Sequence, residues 1–166
     1  MLPAAVVCVF AAFAQAQNKS QVDARITAGS RVAVVEPTCS GGGGQLMGGG
    51  SVQYYFTAQS SIGPEILFVR SCERQTFTFY HPHLSAMMYV ATDLSQSVRI
   101  RPYLIGGVGV VRHHSRFASP NYKVEVAGGA GSKVFIRRRM FVSPEAQVGA
   151  PVLFVRFTAS IGFVLR

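Results

Sequence analysis

From Leu153 to Leu165 the chain alternates without a break. Leu153, Val155, Phe157, Ala159, Ile161, Phe163 and Leu165 occupy one parity, and Phe154, Arg156, Thr158, Ser160 and Gly162 the other. Successive side chains of a β-strand point to opposite faces, so the stretch reads as a strand with one apolar face and one mostly polar face. Two further segments repeat the pattern. Val98 to Val111 sets Val98, Ile100, Pro102, Leu104, Gly106, Val108 and Val110 against Arg99, Arg101, Tyr103, Ile105, Gly107 and Gly109. Met140 to Gly149 sets Met140, Val142, Pro144, Ala146 and Val148 against Phe141, Ser143, Glu145 and Gln147. Such lengths match the roughly 9–11 residues that a tilted strand needs to cross a bilayer.

Weaker alternation places five more strands near Ala24–Val35, Gln45–Thr57, Ser61–Arg70, Thr76–Thr92 and Tyr122–Ile136. With the three above this makes about eight, and an even count lets an antiparallel sheet close on itself. The connections sort by length. Ala58–Ser60, Asp93–Ser97 and Arg137–Arg139 are short and fall at one end; Pro37–Gly44, Ser71–Gln75 and Arg112–Asn121 fall at the other and are mostly longer. Gly149-Ala150-Pro151 is a very short connection at that second end. A faint repeat is also visible: Gly48-Gly49-Gly50-Ser51 leads to Gly63-Pro64-Glu65, and Gly129-Ala130-Gly131-Ser132 leads to Ser143-Pro144-Glu145.

The first sixteen residues read differently. Met1 to Ala16 carries no charge, has the apolar middle Ala-Val-Val-Cys-Val-Phe-Ala-Ala-Phe, and ends in Ala14-Gln15-Ala16, an A-x-A cleavage site. Residues 1–16 are therefore expected to be a signal peptide and residues 17–166 one β-barrel domain. The usual positive n-region is missing, which fits a start assigned too far downstream. Val7 before Cys8 does not suit a lipoprotein signal.

Alternation alone does not say which face is inside. A soluble ligand-binding barrel fills its interior with apolar side chains, whereas a membrane barrel turns them outward. Hydrophobic residues make up 49% of the chain and charged residues only 14%. The apolar parity supplies large side chains from every strand, more than a narrow interior holds. Gly49, Gly107, Gly109, Gly129, Gly131 and Gly162 sit on the polar parity, where a narrow lumen leaves little room. The expected fold is all-β, an antiparallel up-and-down transmembrane β-barrel with its polar face inward.

Three runs carry a family resemblance: Pro102-Tyr103-Leu104-Ile105-Gly106-Gly107-Val108-Gly109, Arg112-His113-His114-Ser115 and Phe141-Val142-Ser143-Pro144-Glu145. With them the chain resembles the eight-stranded bacterial outer-membrane barrel family (OmpA/OmpX-like, porin-type) over nearly its whole length. The resemblance implies a Gram-negative outer-membrane location but no single activity. Outer-membrane lipid and, through the basic surface, the phosphates of lipopolysaccharide are the expected partners, and a monomer is expected. The last strand, with Phe163 outward, is similar to the C-terminal signal read by the outer-membrane assembly machinery. No peptidoglycan-binding domain is expected after the barrel.

An inward polar face carries a cost, because charges enclosed in a small barrel must be paired or hydrated. Parity turns Arg25, Arg31, Arg99, Arg101, Lys123, Lys133 and Arg156 inward with Glu65, Glu125 and Glu145. The expectation is a charge network that plugs the lumen. The sharper alternative is an anion pathway, because cations exceed carboxylates. Lys and Arg outnumber Asp and Glu 16 to 7 overall, yet no nucleic-acid motif surrounds Arg137-Arg138-Arg139, and no nucleic-acid partner is expected.

One constellation offers chemistry. His113-x-Ser115 with Glu125 resembles the pair of lipid A deacylases, with His as base, Ser as nucleophile and Glu as orienter. Arg116 stands where those enzymes have Asn. His81 and His83 share a strand face, but no third ligand is evident, so neither a metal nor a cofactor is expected. Once residues 1–16 are removed, Cys39 and Cys72 are the remaining cysteines, both in connections at the long-loop end. In an oxidising compartment they are expected to form a disulfide. Three function classes follow: a structural or surface-interaction membrane barrel, a lipid A-modifying acyl hydrolase, and a soluble periplasmic ligand-binding barrel.

Overall fold

The computed structural model describes residues 21–33, 45–70, 83–97, 99–113, 121–151 and 153–165, with only the backbone of Ala33, His113 and Asn121. Eight strands run in sequence order: β1 (Val22–Ala33), β2 (Gln45–Tyr55), β3 (Ser60–Val69), β4 (His83–Asp93), β5 (Ile100–His113), β6 (Asn121–Arg137), β7 (Met140–Ala150) and β8 (Phe154–Val164). Each pairs antiparallel with the next, and β1 pairs with β8 through registers such as Arg25 opposite Gly162 and Ile26 opposite Ile161. The sheet is a closed barrel, so no strand edge is left unpaired.

The expected strands fall where alternation placed them, with informative differences at the ends. β1 begins at Val22 and β4 runs to Asp93, so both take in an aspartate that the sequence reading left outside. Thr76–Pro82 of the expected fourth strand, residues 34 and 35 of the expected first, and residues 1–16 lie outside the described residues. The ladder between β6 and β7 shifts register between Phe135 and Arg137.

The two faces separate as the alternation requires. On β5, Ile100, Leu104, Val108 and Val110 are exposed, whereas Tyr103 and Ile105 are buried. On β8, Phe157, Ile161 and Phe163 are exposed, whereas Arg156, Thr158 and Ser160 are buried. Ile26 on β1 is 74% exposed between the buried Arg25 and Thr27.

The inward glycines have a steric reason. Tyr103 stands opposite Gly131, Tyr89 opposite Gly107, Phe141 opposite Gly162 and Phe154 opposite Gly149. In each pair the ring lies over the glycine: a Cβ added at Gly131 would lie 2.5 Å from Tyr103 Cζ, and one at Gly107 2.5 Å from Tyr89 Cδ1. An aromatic ring thus covers the bare backbone across the strand. Gly131→Ala is expected to displace the Tyr103 ring and destabilise the barrel by about 1–3 kcal/mol. Gly106→Ala is the control. Its added carbon meets nothing closer than the Ala127 carbonyl at 4.0 Å, and the change should stay within about 0.5 kcal/mol. Urea unfolding of protein folded into lipid vesicles reads both; equal midpoints would refute the steric account.

Candidate functional site in the barrel interior

The inward face of the strands brings charged and aromatic side chains into three connected groups. At the short-turn end, Lys133 of β6 is 1% exposed and Asp23 of β1 is fully buried. The Lys133 Nζ lies 3.1 Å from Asp23 Oδ2 and 3.4 Å from Asp93 Oδ1, and also donates to the Tyr55 hydroxyl. Tyr55 passes its own proton on, donating to Asp93 Oδ2 at 3.3 Å. The buried ammonium thus has two hydrogen-bond acceptors, Asp23 and Tyr55, and a second carboxylate, Asp93, within ion-pair distance, the compensation a buried cation requires.

The middle group is centred on Tyr103 and Arg156. Tyr103 donates to Glu145 Oε2 at 2.7 Å, and with its one proton so engaged its oxygen accepts from Ser143 Oγ at 2.7 Å. Arg25 Nη1 lies 3.4 Å from the same oxygen, and its guanidinium carbon lies over the Tyr103 and Phe141 rings, 5.4 and 5.5 Å from their centres. Arg156 Nη1 lies 2.8 Å from Glu65 Oε1, and Nη2 lies 3.6 Å from Glu145 Oε1. Tyr89 donates to Gln147 Oε1 at 3.0 Å, and Gln147 donates to Glu145. The two glutamates of the faint sequence repeat thus converge on one arginine, although their registers differ by one residue: Glu65 faces Ser51, and Glu145 faces Gly131.

Towards the long-loop end the lining turns apolar, with Met47, Leu67, Val69, Met87 and Phe154 buried. Arg31 spans this layer, its guanidinium 3.8 Å from the centre of the Phe154 ring. It makes a two-pronged pair with Glu125, Nη1 to Oε2 at 3.1 Å and Nη2 to Oε1 at 2.7 Å. Fork-on-fork pairing of this kind fixes both side chains.

Several expected site residues are placed differently. Arg99 and Lys123 have inward parity but are exposed, because they sit at strand ends beyond the enclosed part of the barrel. Arg101 is half-buried at the short-turn mouth, where its Nε donates to the Ser97 carbonyl at 3.0 Å and its guanidinium lies 4.8 Å from the Phe135 ring centre. Asp23 and Asp93 were missed altogether. Among the described residues the interior then holds Asp23, Glu65, Asp93, Glu125 and Glu145 against Arg25, Arg31, Lys133 and Arg156, so the cation excess behind an anion pathway is not seen among them.

Of the His113-Ser115-Glu125 set, the backbone of His113 and the side chain of Glu125 are described, and they lie apart along the β5–β6 ladder. His113 pairs with Asn121, whereas Glu125 pairs with Gly109, four positions along β5 and about 13 Å away at the usual strand rise. Both Glu125 oxygens accept from Arg31. Ser115, Cys39, Cys72 and His81 lie outside the described residues, and His83 opens β4.

No family model and no curated protein sequence matches this chain. Solved structures do. The N-terminal β-barrel domain of Pseudomonas aeruginosa OprF superposes with a TM-score of 0.64 at 14% identity, covering 89% of this chain and all (100%) of that one. Neisserial surface protein A gives 0.64 at 10% identity, over 87% of this chain and 96% of its own. Ail, the attachment invasion locus protein of Yersinia pestis, gives 0.53 at 14% identity, over 89% and 98%. These likenesses bear on the fold: this chain has the closed eight-stranded barrel fold seen in those outer-membrane proteins.

Proposed function

We propose that the protein is an integral outer-membrane barrel with a structural or surface-interaction role, its lumen plugged by the charge network. The observation that carries this reading is the inversion of the two faces. Among the described residues every carboxylate side chain is turned inward and paired with a cation or hydroxyl, while large apolar side chains from all eight strands are exposed on the outside. Water is a poor solvent for that exterior and hydrocarbon a good one. A soluble ligand-binding barrel needs the opposite arrangement.

The interior favours a plug over a pore. Eight strands enclose only enough space for side chains, and here cations and carboxylates cross-link opposite walls. The long-loop rim carries exposed Arg70, Arg112 and Lys123, a charge that suits the phosphates of lipopolysaccharide. β8, with Phe163 outward, is the strand offered to the assembly machinery.

Two measurements test the reading. The protein should fractionate with the outer membrane and show a mobility shift between unboiled and boiled gel samples; a soluble periplasmic protein would end the membrane assignment. Folded protein in a planar bilayer should pass no steady current, and a stable anion-selective conductance would refute the plug.

A further inference from the structure

Charge in this molecule is sorted by position. Among the described residues the carboxylates lie inside, and the short-turn end exposes only cations: Arg99, Arg137, Arg138 and Arg139. All four belong to one corner. Phe135 N donates to the Arg99 carbonyl at 2.8 Å, β6 continues to Arg137, and the turn passes through Arg138 and Arg139 into β7. The Arg139 carbonyl accepts from Val164 N at 2.8 Å, so neighbouring strands hold the corner's backbone on both sides. The other connections described at this end are uncharged up to Arg99: Phe56–Gln59 and Leu94–Ser97.

The corner also abuts the outer apolar belt. Ile100, Val134, Ile136, Phe163 and Leu165 are exposed on its outward side, and Ile136 immediately precedes Arg137. At about 3.3 Å per strand residue, the three turn arginines lie within about 10 Å of the last apolar side chain. That is the depth at which a lipid's phosphate sits above its acyl chains. A water-soluble polyanion would have no use for the adjoining apolar strip, whereas a phospholipid uses both parts. Guanidinium groups match phosphate oxygens two at a time, and a short turn between paired strands limits how far they can disperse.

We propose that this corner binds the headgroup of an anionic phospholipid in the leaflet at the short-turn end, with its acyl chains lying along the outward side of β5 and β6. The proposal rests on the membrane reading above and adds to it a site and a lipid class. It predicts selective retention. Protein folded in mixed phosphatidylcholine and phosphatidylglycerol bilayers, then released into detergent and examined by native mass spectrometry, should keep phosphatidylglycerol preferentially. A cation at a membrane surface contributes about fivefold in affinity at low salt, so the triple variant R137Q/R138Q/R139Q should lose roughly a hundredfold of the preference. The corresponding triple lysine variant should keep most of it, and molar salt should weaken it in the wild type. A wild type without preference, or a glutamine variant retaining phosphatidylglycerol equally well, would overturn this inference alone, provided both show the heat-dependent mobility shift. A protein with no such shift in either bilayer would overturn the membrane reading and this site with it.

Discussion

Replacing Lys133 by methionine is expected to cost about 3–5 kcal/mol of stability, the largest single loss in the barrel interior. The cause is what the substitution leaves behind. Asp23 and Asp93 are both buried, and Lys133 Nζ lies within 3.4 Å of each. Without it, two buried carboxylates face each other, and among the described residues the remaining hydrogen bonds to them come from the Tyr55 hydroxyl and the Gln21 amide. Methionine fills a similar volume, so packing loss contributes little and the electrostatic effect is isolated. The triple change Lys133→Met, Asp23→Asn, Asp93→Asn should recover most of the stability, because removing a whole buried ion group is far less costly than orphaning part of it. Urea unfolding in lipid vesicles, followed by the gel mobility shift, reads both. If the single and triple variants lose the same amount, the network does not act as a charge-balanced unit.

Which residues face inward was legible because a barrel strand has two solvents, and a strict period of two records them. The residues of Leu153–Leu165 and of Ile100–Val111 lie on the faces their parities assign for that reason. Parity carries no information on depth, however. Arg99 and Lys123 share the parity of Tyr103 and Glu125 but are exposed at strand ends. Asp23 and Asp93 failed in the opposite sense: a charged residue where alternation fades reads as part of a turn, and here the strand continues through it. The pairing itself was not legible at all. Asp23 meets Lys133 across 110 residues and Arg31 meets Glu125 across 94, because strand tilt and closure bring distant strands to face one another. The repeat was the one long-range hint in the sequence, and its two glutamates do share Arg156.

Leu104→Arg is expected to impair insertion by about 2–4 kcal/mol, the figure for arginine on the lipid face near the bilayer midplane. The outward series on β5 runs Ile100, Pro102, Leu104, Gly106, Val108, Val110, Arg112, and Leu104 sits one step from its middle. Its side chain is 52% exposed and faces away from the charge network. Ile100→Arg supplies the comparison. It adds the same charge to the same strand at the end of the series, where a long side chain can reach headgroups and water, and should cost at most about 1 kcal/mol. Depth dependence is what distinguishes a bilayer from water, since a water-exposed face accepts arginine at either position. The yield of heat-modifiable protein on refolding into vesicles measures the difference. Equal, near-complete yields for both variants would mean that the apolar belt does not lie in lipid, and the inside and outside of this barrel would have to be reassigned.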